Sequence, residues 1–458
     1  MDTHTYQYLH KDAITALKEQ RLLSALQSLQ GMASSLKEWN IKEETDTLID
    51  SYQILLSYLV KGAADPDRNK MYKSFERRAY ELADMLERAG DLQNDTSFYA
   101  TSLRTLQNLH GTQFTLSDLL QEGVNARDIF DAIWLSGAWT VADETAVANF
   151  MANREVIENL KCLVLSAITL SAMRYFDIAK YRVLLDNALS DEIKIRVRAL
   201  VGLIFVHIAH PERTLLYPEV STRLRLMLDI PSFASQLELL QSQLFLSLET
   251  KRIERNLQEE IIPQVMKRIE KLHIDRSLGL DEIKDKLSEA DLNPEWEEDG
   301  RPSKLAQYMH EFVELQERGA DMYMGSFKVL KQRFSFFNVV CNWFYPFTMN
   351  HPELPKGLSN IRMLKVLISR TGLCDSDKYS FCLMTSQMQN NIKADMQEFM
   401  ENAGALENTD DVEKDPEFQF KDELRSYVQG FYRFCNLYLH HEEFFNPFQQ
   451  NLFLADYV

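Results

Sequence analysis

His207 and His210 stand three residues apart, a spacing that sets two imidazoles on one face of a helix, where they could share a metal ion. The residues around them are Phe205, Val206, Ile208 and Ala209, and no acid or cysteine close by completes a ligand set. His210 therefore reads as a helix-end residue before Pro211. The run His440-His441-Glu442-Glu443 places imidazoles beside carboxylates, the ingredients of a carboxylate–imidazole metal site. Adjacent residues point to different sides of a helix, so a metal there needs ligands from elsewhere in the chain. Cys374 and Cys382 have no neighbouring base that would make either a nucleophile. The closest glycines, Gly319 and Gly325, have the wrong spacing for a phosphate loop, and Lys328 follows too late. The sequence also lacks G-x-G-x-x-G, G-x-S-x-G, H-E-x-x-H and the protein-kinase signatures. The expected catalytic, metal-ligating and cofactor-binding residues are accordingly none, and the chain reads as a non-enzyme without a cofactor.

Aromatic residues supply the other candidate chemistry, that of binding. Phe334, Phe336, Phe337, Trp343, Phe344, Tyr345 and Phe347 crowd 14 residues, and Phe431, Tyr432, Phe434, Tyr438, Phe444, Phe445 and Phe448 crowd 18. Each block closes on aromatic-x-Pro-Phe, as Phe344-Tyr345-Pro346-Phe347 and Phe445-Asn446-Pro447-Phe448. The pattern suggests duplication of a helix that ends in an aromatic plug. Large rings in such a place either fill the core or, if exposed, anchor a partner. Trp343, Phe344, Tyr345, Phe347, Phe445 and Phe448 are the candidate partner-binding residues.

The elements that carry these residues are helices. Leu48, Tyr52, Leu55 and Leu59 step by 4, 3 and 4, and Tyr72, Phe75, Ala79, Leu82 and Leu86 by 3, 4, 3 and 4. Each set forms one apolar stripe on a helix, a packing seam against a neighbour. Strand alternation is nearly absent, and 15 Gly and 12 Pro in 458 residues are too few for a turn-rich β protein or a disordered chain. Short polar breaks such as Ala63-Ala64-Asp65-Pro66-Asp67 predict antiparallel neighbours. Thr140 with Asp143 has the spacing of an N-terminal capping box. The segment Cys162–Leu170 is uncharged on every face, which predicts a helix covered on several sides.

In residues 195–203, Ile195-Arg196-x-x-Ala199-x-Val201-Gly202-Leu203 after a short polar turn resembles the second helix of a HEAT repeat. The likeness covers about twenty residues closely and the rest of 140–275 by helix length alone. The N-terminal helix pairs are similar in size to tetratricopeptide repeats, without that motif's Gly, Tyr, Ala and Pro positions recurring every ~34 residues. The resemblance is to α-helical repeat proteins as a class, which act mostly as scaffolds. The expected fold is all-α, with antiparallel helix pairs stacked as an irregular α-solenoid, a right-handed superhelix. Three regions are expected: 1–138 of helical hairpins, 139–276 HEAT-like, and 277–458 acidic and rich in aromatics.

Net charge is −18, which disfavours nucleic acid as a partner because phosphate binding runs on Lys and Arg. Residues 281–300 and 401–423 each hold nine acids against two lysines, either solvated faces or docking strips for a basic partner. The longest uncharged runs, Cys162–Met173 and Ala199–Ala209, fall short of the ~20 residues that span a bilayer, so no membrane insertion is expected. The first residues carry neither a basic nor an apolar leader pattern, and five scattered cysteines read as reduced thiols, which together predict a cytoplasmic protein. The apolar carboxy end suggests a part of a longer protein. The expected function is a non-catalytic scaffold for unidentified protein partners. A ligand-sensing helical module is the alternative, and an enzyme with carboxylates converging from distant helices a third reading.

Overall fold

Thr140 shows how the chain starts its helices. Its hydroxyl accepts the Asp143 N–H at 3.2 Å, and the Asp143 carboxylate accepts the Thr140 N–H at 2.9 Å, the capping box read from the sequence. Thr115 with Asp118 repeats the device. The computed structural model describes residues 3–256, 319–358, 373–388 and 415–456, with breaks at 63–65, 95, 122 and 322–323, and isolated positions 259, 263, 361, 364–365 and 368. No strand occurs among the described residues.

Eight helices come first: α1 (Thr3–Lys18), α2 (Leu22–Leu36), α3 (Trp39–Val60), α4 (Arg68–Gln93), α5 (Phe98–His110), α6 (Leu116–Leu119), α7 (Ala126–Trp134) and α8 (Val141–Ala152). Then follow α9 (Glu158–Arg174), α10 (Ile178–Asn187), α11 (Ile193–Ala209), α12 (Pro218–Leu228) and α13 (Pro231–Asn256). The described remainder holds α14 (Met324–Arg333), α15 (Val340–Phe344), α16 (Asp375–Gln387) and α17 (Pro416–Leu437). They fall into two compact units. Unit 1 comprises Met1–Glu238, Val339–Pro346 and Phe434–Val458; unit 2 comprises Leu239–Asn338 and Phe347–Arg433.

In unit 1 the helices pack mainly on others one to three places away along the chain. Helix α2 touches α1, α3 and α4, and α9 touches α7, α10 and α11. The uncharged stretches form the interior, as their sequence requires: Cys162–Met173 of α9 and Ala199–Ile208 of α11 are buried without a break, and the charged Lys161 and Arg198 just ahead of them are buried too. Burying each of their Leu, Ile and Val side chains contributes about 1.5–3 kcal/mol. Gly202 lets α11 approach closely, because a Cβ there would overlap the Thr169 hydroxyl and touch Leu184 at 3.0 Å.

The expected boundary at 138/139 falls inside unit 1, across a dense set of bonds. Lys180, 1% exposed, donates to the Gly137 carbonyl at 2.8 Å, the Ser136 carbonyl at 3.2 Å and the Ser171 hydroxyl at 2.9 Å. The Trp139 N–H meets Asp177 at 2.7 Å. Residues 136–139 are thereby fastened to α10. The boundary at 276/277 lies outside the described residues.

In unit 2, α14 packs on α16. Gly319, at φ +90°, lies against Arg425 and Gln243 and passes its carbonyl to the Gln429 amide at 3.1 Å.

Candidate functional site

Helix α3 carries the stripe Leu48, Tyr52, Leu55, Leu59, and a stripe of that kind ordinarily disappears into a seam. Here it does so only in part. Ile41 and Thr45 alone are buried along the 22 residues; Leu48, Tyr52 and Leu55 are half-buried, and Leu59 is exposed. Tyr52 does reach α4, with its ring 6.3 Å from Tyr72 and 6.0 Å from Phe75, and those contacts hold the hairpin together. Beyond them Ile54 (58% exposed), Tyr58 (57%) and Val60 (86%) face outward with Met71 of α4. Ser51, Ile54, Leu55 and Tyr58 follow the i, i+3, i+4, i+7 pattern of one helix face and line a groove of about 350 Å³ with Arg68 and Met71. Among the residues that line this groove, Arg68 carries a charge.

Further along, α4 turns polar on one side, with Asp84, Glu87 and Asp91 spaced as one face. Arg213 pairs with Asp84, its guanidinium 4.6 Å from the Tyr80 ring and 5.1 Å from that of Phe176. Glu87 faces His10 at 3.6 Å. Asp91 accepts from Arg174 at 2.6 Å and from the Tyr175 hydroxyl. Each carboxylate has its own partner, and the set clamps helices together rather than converging on an open site. Among the described residues no group of three His, Cys, Asp or Glu is placed to hold a metal.

The His440–Glu443 run is used structurally. The His440 ring stacks on Phe98 at 4.5 Å, and His441 Nδ1 donates to the Tyr438 carbonyl at 2.8 Å. The Glu443 carboxylate accepts the N–H groups of Phe98 (2.8 Å) and Tyr99 (3.3 Å) at the start of α5, where the helix dipole favours an anion. His207 and His210 part company as well. His207 meets the Thr214 hydroxyl at 3.3 Å, while His210 Nε2 donates to the Met173 carbonyl at 3.1 Å.

His210 gives this seam a pH dependence. Burial, with Arg213 nearby, pushes its imidazole down to about 3, from an ordinary value of 6.5. Between those values the unfolded chain takes up a proton that the folded chain refuses, so stability rises with pH across the window. Asp84 opposes this: burial pushes its carboxyl up to about 6 despite Arg213, so from 3.8 to 6 the folded state holds the extra proton. Comparing the wild type with His210→Gln isolates the histidine. The wild type should gain up to ~1.4 kcal/mol per pH unit on the variant within this window and nothing above it, as read from urea unfolding at each pH.

Unit 2 holds a buried charge network that sequence reasoning missed. Arg433 donates to Asp321 through Nε (2.8 Å) and Nη2 (2.5 Å) and also pairs with Asp377. Lys331 pairs with the same Asp377. All four side chains are at most 2% exposed. Burial pushes the Lys331 ammonium down to about 7, with Cys374 and Asp321 acting against that fall. Cys374 Sγ lies 3.2 Å from Arg433 Nη1 and 3.3 Å from the Ser376 hydroxyl, at 0% exposure, out of reach of a substrate. Two carboxylates and two cations neutralise each other in a sealed interior. Only Cys374 of this set stood out in the sequence, and nothing local ties it to residue 433.

Of the six candidate partner-binding rings, Trp343, Phe344, Tyr345 and Phe448 are buried in unit 1, at most 8% exposed. Phe344 meets Phe434 at 4.9 Å and Phe130 at 6.0 Å; Trp343 meets Phe434 at 5.9 Å; Phe448 meets Phe205 at 5.4 Å. As they stand these four are core, the other of the two roles open to them, and offer no face to a partner. Phe445 is half-buried in unit 1, and Phe347, half-buried in unit 2, packs on Tyr379 at 5.0 Å. The acidic stretch 281–300 lies outside the described residues, as does 401–414 of the second. Compared with known protein families, curated proteins and solved structures, the chain finds no match in any of the three. Among the described residues no helix is long and apolar enough to cross a membrane.

Proposed function

We propose that the chain is a non-catalytic scaffold whose partner docks on the distal face of the α3–α4 hairpin. One observation carries the reading: an apolar helix face with Ile54 and Tyr58 each more than half exposed and Leu59 exposed beside them, although the helix around it has the pattern of a packed seam. Exposed apolar area of that kind, rimmed by polar groups, belongs to an interaction site. Its apolar lining, with the Arg68 cation beside it, favours a partner helix with an apolar stripe and an acidic flank, laid into the groove. Stacking of helix pairs as an irregular right-handed α-solenoid, HEAT-like at α10–α11, is part of the proposal and is supported by the packing of helices in unit 1 mainly on others one to three places along the chain. A cytoplasmic address is supported by five cysteines that are all free thiols. A net charge of −18 supports a protein partner over a nucleic acid.

Affinity capture from the source cell with the wild type and with Tyr58→Asp/Leu59→Asp tests this. The wild type should retain a protein that the variant binds ~30-fold or more weakly, with melting temperature unchanged because both side chains are exposed. Equal retention by both, or by neither, contradicts it.

A further inference from the structure

Helices α10, α11, α12 and α13 converge with the Thr214–Leu216 turn around a cavity of about 130 Å³ in unit 1. Its deep wall is apolar and closed, with Tyr181, Leu200, Leu203 and Phe233 each at most 3% exposed. His207 and Thr214, on one side, are bonded to each other at 3.3 Å and so make no demand on a guest. The mouth differs in kind. Arg225 lines it and is solvent-exposed, and it forms no ion pair among the described residues, whereas Arg223 on the same helix is paired with Asp186. A cavity of roughly 150 Å³ lined by Leu, Ile and Phe takes up a benzene-sized apolar guest, and a pocket of comparable size here has a cation at its entrance. An apolar interior with one charged group at the rim selects an amphipathic molecule of opposite charge.

We infer that this cavity binds a medium-chain carboxylic acid of about six to eight carbons, its tail against Leu200, Leu203 and Phe233 and its carboxylate on Arg225. The site is separate from the docking face and stands or falls independently of it.

Isothermal titration of the full chain with straight-chain alkanoates from butanoate to dodecanoate, and with octanol and octylamine, tests the assignment. Affinity should climb about fourfold per methylene up to octanoate and then level off, as the cavity fills. Octylamine should bind more weakly than octanoate. Arg225→Gln, at an exposed position, should weaken octanoate roughly two- to fivefold and leave octanol unchanged. Leu224→Trp, which places a larger ring in the lining, should reduce binding of both. Absence of binding by every alkanoate, a gain that continues unabated to dodecanoate, or equal octanoate affinity in Arg225→Gln would overturn the assignment.

Discussion

Replacing Arg433 by methionine is expected to destabilise unit 2 by about 3–5 kcal/mol. Arg433 grips Asp321 with two parallel N–H···O bonds, at 2.8 and 2.5 Å, and neutralises half the charge of Asp377 and Asp321 together. Without it Lys331 alone faces two sealed carboxylates, and burial already holds that ammonium at about 7. An uncompensated carboxylate in a dry interior must take a proton or let in water, and either course weakens the fold. The double variant Arg433→Met/Asp321→Leu removes the pair rather than one partner, and it should recover much of the loss. Urea titration followed by circular dichroism gives both values. A single variant as stable as the wild type would show that the network contributes nothing, and a double variant worse than the single would contradict the pairing.

The second large effect lies at the carboxy end of unit 1. Phe448→Ala should cost about 3–5 kcal/mol. The ring is 6% exposed and meets Phe205, at 0%, edge to face at 5.4 Å. Asn446 holds it there, its Oδ1 accepting the Phe448 N–H at 3.0 Å. Truncation leaves a hole against α11, a helix enclosed along Val197–Ile208 that has little freedom to collapse into it. Phe453, 51% exposed, is the control, and Phe453→Ala should shift stability by less than ~0.5 kcal/mol. A Phe448→Ala chain with the urea midpoint of the control would remove Phe448 from the core.

Features that depend on neighbours in sequence were legible in the sequence, and those that depend on distant residues were not. The Thr140–Asp143 cap closes within one turn, so its spacing is its structure. Helix α9 from Cys162 to Met173 and α11 from Ala199 on are uncharged on every side, which leaves no orientation in which they avoid burial. Gly202 belongs to the same class, since a missing side chain in an apolar run announces a close neighbour. The stripe on α3 is the opposite case. Periodicity shows that a helix has an apolar face, and says nothing about whether another element covers it; Tyr52 is met by the rings of α4 while Tyr58 stays more than half exposed. The aromatic blocks suffer the same ambiguity, because a ring that anchors a partner and a ring that fills a core look alike in sequence. Charge pairing is the least legible. Arg433 meets Asp321 across 112 residues, and Glu443 caps a helix that starts 345 residues earlier. Such pairs are chosen by topology, and only when topology is in hand does His440-His441-Glu442-Glu443 cease to look like a metal site.

The docking face remains the central claim, and photo-crosslinking in the source cell tests it most directly. A photoreactive phenylalanine analogue in place of Tyr58 should give a discrete covalent adduct with one partner, and the same analogue in place of Leu109, 68% exposed but away from the groove, should give none. Adducts of equal yield at both positions, or none at position 58, would contradict the account.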